Sequence, residues 1–90
     1  MTNPSKASLL EFPCEFPIKA FGLATQDLVQ TVLEIVQRHS PETRPDQVYS
    51  RNSEGGKYIA VTVTIVASSQ SQIDDIYMDL TASPDVLMAL

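Results

Sequence analysis

The 90-residue chain has one cysteine, one histidine and only six lysines and arginines. A single thiol, Cys14, excludes an internal disulfide and suits a reducing compartment. With His39 alone and Cys14 far from it in sequence, no familiar metal-ligand spacing is present. The six bases (Lys6, Lys19, Arg38, Arg44, Arg51, Lys57) are scattered among eleven acids, for a net charge of −5. Phosphate binding needs clustered cations, so nucleic acid is not an expected partner. No apolar run approaches the roughly 18 residues of a membrane span. The longest, Tyr58–Ala67, is broken by Thr62 and Thr64. The start, MTNPSKASLLEFP, lacks the apolar centre of a secretory signal. The expected location is therefore cytoplasmic, with no membrane partner.

Catalytic signatures are also missing. No G-x-S-x-G elbow occurs. Gly55-Gly56 precedes a strand pattern and no Walker lysine follows, so it is not a phosphate loop. His39 ends a helical stripe and reads as a half-packed terminal residue that suits the helix dipole. Cys14 has no base beside it to favour a thiolate and reads as a packed small residue just before the first strand. Asp74, Asp75 and Asp79 read as the solvated side of a helix. The expectation is a protein that is not an enzyme, with no cofactor and no metal.

What is present is a chain with 43% hydrophobic residues and 19% charged, ordinary for one globular domain. A chain this short buries about two-thirds of its unfolded surface and builds one modest core. Residues 1–8 are small and polar and read as a disordered tail; 9–90 read as a single domain. Leu9-Leu10-Glu11-Phe12-Pro13 reads as a lead-in over the core edge. Glu15–Gly22 is the first strand pattern, with Pro17 placed at the entrance of a strand proper, Ile18–Phe21, because proline cannot donate to a ladder. Gln26–His39 carries Leu28, Val29, Val32, Leu33, Ile35 and Val36 at spacings of three and four, predicting an amphipathic helix of about four turns. Thr25 is its expected N-cap, Asp27 lies in its first turn, and Ser40-Pro41 ends it.

Asp46–Asn52 is a weak strand pattern, Ser53–Gly56 a glycine turn, and Tyr58–Ala67 a strong strand. Ser69 and Gln72 have capping-box spacing before a second helix marked by Ile73, Ile76, Tyr77 and Leu80. That helix ends before Pro84, and Val86–Leu90 is a last short strand. The order β-α-β-β-α-β, with right-handed crossovers, predicts an α+β, ferredoxin-like two-layer sandwich with antiparallel strand order 4-1-3-2. Ile59, Val61, Val63 and Ile65 then lie beneath both helices, with Ile18 and Ala20. Lys19, Phe21, Tyr58, Thr62, Thr64 and Val66 form the uncovered face. Such a face can stay wet in a monomer, pair with another copy, or dock a partner protein. A second candidate is the turn Gly22-Leu23-Ala24-Thr25. Backbone N–H groups at a helix N-terminus can receive an anion, so a small carboxylate ligand is expected there.

Four stretches, LLEFP (9–13), EIVQRHSP (34–41), GGKYIAVTVTIVA (55–67) and PDVLMAL (84–90), occur together over nearly the whole chain. In this order they resemble the YbeD-like family of small bacterial proteins. The resemblance implies a ferredoxin-like fold similar to the ACT domain of amino-acid biosynthetic enzymes. It also implies a regulatory or ligand-binding role linked to lipoate, and no catalytic residues. ACT-like domains bind ligands near the first strand–helix turn, where Gly22 matches. Leu23-Ala24-Thr25 offer no acidic or amide group to an amino group, which points away from amino acids and toward a carboxylate, an acyl chain or no ligand. Two readings follow: an ACT-like regulatory domain for a small ligand, and a protein–protein adaptor that uses the open sheet or its edges.

Overall fold

The computed structural model describes residues 10–24 and 27–90. The expected tail (1–8), Leu9, Thr25 and Gln26 lie outside the described residues. The elements are β1 (Cys14–Leu23), α1 (Leu28–His39), a single 3₁₀ turn (Pro45–Gln47), β2 (Val48–Asn52), β3 (Tyr58–Ala67), α2 (Gln70–Ala82) and β4 (Met88–Ala89). The four strands form one antiparallel sheet in the order β2-β3-β1-β4. This is the expected 4-1-3-2 order read from the other edge. Both helices cover one face.

Alternation fixes which residues they cover. On β3, Val61, Val63, Ile65 and Ala67 are at most 1% exposed. Ile18 and Ala20 of β1 join them, beneath Leu28, Val32, Ile35 and Val36 of α1 and Ile73, Ile76 and Leu80 of α2. Phe12, from the lead-in, packs against this cluster from its edge. The turn between β2 and β3 uses both glycines, Gly55 at φ +90° and Gly56 at φ +77°, a region that side-chain-bearing residues avoid.

Three boundaries depart from the sequence pattern. First, β1 runs ten residues and takes Cys14 as its first residue and Pro17 into its middle, with Pro17 opposite Thr64. The pairing explains the tolerance. Lys19 and Phe21 turn their backbone groups toward the C-terminal segment: Lys19 N–H donates to Leu90 O at 3.2 Å, and Phe21 O accepts from Leu87 N–H at 2.8 Å. Pro17 has the same parity, so its missing donor faces the side where β4 has already ended. Second, α1 begins at Leu28 and its N-cap is Asp27, whose carboxylate accepts from Gln30 N–H at 3.4 Å. A carboxylate is a good cap and also meets the positive helix end. Third, β2 starts at Val48, since Pro45–Gln47 form the 3₁₀ turn, and β4 shrinks to Met88–Ala89.

Candidate functional site

The described part of the turn after β1 packs against the rest of the chain. Gly22 is buried, and a Cβ placed on it would stand 2.5 Å from Asp85 O and 2.9 Å from Leu28 Cδ2. Close packing thus requires glycine here. Leu23 remains in β1 opposite Tyr58. Ala24 N–H donates to Lys57 O at 2.9 Å, so it is not free to meet an anion. The expectation of open N–H groups is corrected at Ala24, whose donor a neighbouring carbonyl takes. Asp27 caps the first turn of α1. Thr25 falls outside the described residues.

The uncovered sheet face brings together the other expected set. Lys19 and Thr62 are directly paired, with Tyr49 beside Thr62 on β2. Phe21, Ala60 and Arg51 form the next row, with Met88 of β4 beyond Phe21. Glu15 pairs with Val66 at the opposite end, and Pro17 with Thr64 between. Tyr58, Val66, Tyr49, Met88 and Leu90 are exposed although large and apolar. Lys57 Nζ lies 5.4 Å from the centre of the Tyr58 ring, a cation–π distance. A shallow hollow of about 220 Å³ opens between Phe21, Ala60, Tyr58 and Arg51. A wider depression of about 630 Å³ lies at the far end, lined by Glu15, Glu42, Asp46, Thr64 and Val66. Tyr49, Arg51 and Met88 belong to this face but were not among the residues expected there. Their alternation was legible, yet β2 and β4 are too short for their parity to be fixed without their partners.

A third cluster joins the helices. His39 Nε2 lies 2.6 Å from Asp79 Oδ2, with both side chains partly exposed. Gln72 Nε2 donates to His39 O at 2.8 Å. Asp74 and Asp75 are solvated as expected. Asp79 is not: it is half-buried and engaged across the α1–α2 seam. It follows Ile76 by three positions, which is the signal that places it beside the core stripe. With only one His and one Asp, this contact clasps two helices. Among the described residues, no group of three or more His, Cys, Asp or Glu side chains is placed to hold a metal. Nor is any described helix long and apolar enough to cross a membrane. Cys14 is half-buried and free.

Known proteins match this arrangement closely in sequence and in shape. The family model described as "Protein of unknown function (DUF493)" matches residues 7–90. A UPF0250 protein of Chromobacterium violaceum is 44% identical over 88 residues, covering 98% of this chain and 99% of that one. A UPF0250 protein of Ralstonia nicotianae is 39% identical over 88 residues, covering 98% and 91%. The solution structure of protein HP0495 from H. pylori superposes with a TM-score of 0.72 at 17% identity. It covers all of this chain and 94% of that one, and so shares the fold. The YbeD-like pattern of segments and the whole-length matches agree, and the chain belongs to the DUF493/UPF0250 family of small bacterial proteins.

Proposed function

We propose that this chain is a non-catalytic, cytoplasmic interaction module whose working surface is the uncovered sheet face. One observation carries the reading. The central strands present Phe21, Tyr58 and Val66 toward the side that neither described helix covers, and Tyr49, Met88 and Leu90 extend the same surface. Threonines and a lysine between them keep the surface wettable. Such a mixed face suits an adaptor that exchanges partners. The test is site-specific photo-crosslinking in the native cell. A crosslinker at Thr62 is expected to trap a defined protein, whereas one at exposed Asp75 on α2 traps none. Equal trapping at both sites, or none at Thr62, overturns the reading.

A second reading, regulation by a small carboxylate ligand, is favoured by a different place from the one the sequence suggested. The hollow between Phe21, Ala60 and Tyr58 is apolar and has Arg51 among its walls. An acyl chain would lie on the rings and its carboxylate would meet the guanidinium. Titration with octanoate, lipoate and amino acids tests it. Amide shifts confined to Arg51–Ala60 for the acyl acids support it, and their absence removes it.

A further inference from the structure

The uncovered face is electrically divided along the strands. Among the described residues, Lys19, Arg51 and Lys57 lie toward the end where β3 begins, against one carboxylate, Glu54, in the turn. Glu15, Glu42 and Asp46 lie toward the end where β3 finishes, against one base, Arg44, which is 3.2 Å from Asp46. We infer that this face stacks on the same face of a second copy, with the two-fold axis crossing the strands at the Pro17–Thr64 row. The inference rests on the interaction-module reading above and names its partner.

Charge selects the axis. A two-fold along the strands would lay the basic end on the basic end. A two-fold across them reverses the strand direction and lays each end on its opposite. With the axis at the Pro17–Thr64 row, Lys19 comes over the second copy's Glu15, since each lies two residues from Pro17. Arg51, on the same side of the axis as Lys19, is turned toward the second copy's acidic end, where Glu42 and Asp46 stand beside Thr64 and Val66. Thr62 and Val66 meet in the same way, and Pro17 and Thr64 lie near the axis. These are self-complementary contacts, as an isologous interface requires. With the axis at Thr64, seven residues of β3 (61–67) overlap, roughly 23 Å by roughly 19 Å across four strands, a footprint of about 440 Å² per copy at most. That is smaller than the usual specific pair, so the dimer is weak and salt-sensitive.

The test uses the full chain and two exposed positions, Glu15 and Lys19, in light scattering and sedimentation at rising concentration and low salt. The wild type is expected to approach doubled mass, and added salt to reverse it. E15K and K19E are each expected to weaken association by about tenfold or more, because like charges then face each other twice. Mixing the two variants restores a dimer, since every crossing pair becomes opposite in charge. Circular dichroism confirms that each variant is folded. A wild type that stays monomeric, single variants that dimerise like the wild type, or a mixture that stays monomeric overturns the inference. If the wild type is monomeric while the Thr62 crosslinker traps a different protein, the second-copy inference fails and the interaction-module reading stands.

Discussion

Strand β3 serves two environments with the same ten residues. Val61, Val63 and Ile65 face α1 and α2 and are at most 1% exposed, whereas Tyr58 and Val66 on the reverse are 42% and 50% exposed. Both sets lie on one strand, held between β1 along its whole length and β2 over Ile59–Val63. The covered side is chosen for shape and dryness, so Val and Ile fill it without a polar atom. The reverse mixes Thr62 and Thr64 with rings and a valine, so it tolerates water and still has apolar area to offer. One strand thus separates stability from recognition, with successive side chains assigned to alternate tasks.

This contrast can be broken at single positions. Val63→Asp is expected to abolish cooperative folding, because an unpaired carboxylate in the core costs more than a domain of this size can supply. Thr62→Asp, its neighbour on the reverse, is expected to cost no more than about 1 kcal/mol in dilute protein. Thermal melts of both variants measure the difference; similar losses would mean that the reverse face is also core. A smaller effect tests the packing at the end of β1. Gly22→Ala would drive its methyl into Asp85 O at 2.5 Å, and a backbone atom cannot turn aside as a flexible side chain can. The expected cost is about 1–3 kcal/mol, with faster amide exchange at Leu87 and Leu90 as β4 loosens. An unchanged melt would show that the 83–87 segment moves freely.

The smallest effect concerns α2 and the chain end. Tyr77 hydroxyl donates to Leu90 O. Burial holds the Tyr77 phenol above its ordinary range, with the Lys19 backbone amide opposing that rise. A phenol whose folded value is raised contributes stability that is complete below the unfolded value of about 10 and is lost as pH climbs through the folded value. Tyr77→Phe is therefore expected to lower stability by about 1 kcal/mol at neutral pH and to flatten the decline above about pH 10. Urea titrations of both proteins across that range give the comparison. Parallel pH profiles would show that Tyr77 is not the titrating group.

The strand order and the core were legible because they rest on periodicity. The alternation over 58–67 and the stripe Leu28–Val36 each point one face inward, and the β-α-β-β-α-β order leaves few ways to join them. Features that depend on a distant neighbour were not legible. Pro17 looks like a strand entrance until β4 is seen to stop short of it. Ala24 looks like a free donor until Lys57 O is placed against it. Asp79 looks solvated until His39, forty positions earlier, is brought to 2.6 Å. The uncovered face was read correctly on β1 and β3, where long strands fix parity. Its extension by Tyr49, Arg51 and Met88 depends on registers that only the assembled sheet sets.

The proline in β1 has a consequence for the protein's behaviour in a crowded cell. Among the described residues, no strand lies along the margin of β1 away from β3 from Cys14 to Ile18, since β4 pairs with Ala20 and Phe21. A bare margin of this kind invites stray chains to add on and extend into fibrils. Pro17 removes the amide that such an intruder would need, so the molecule guards its own rim against amyloid-like growth.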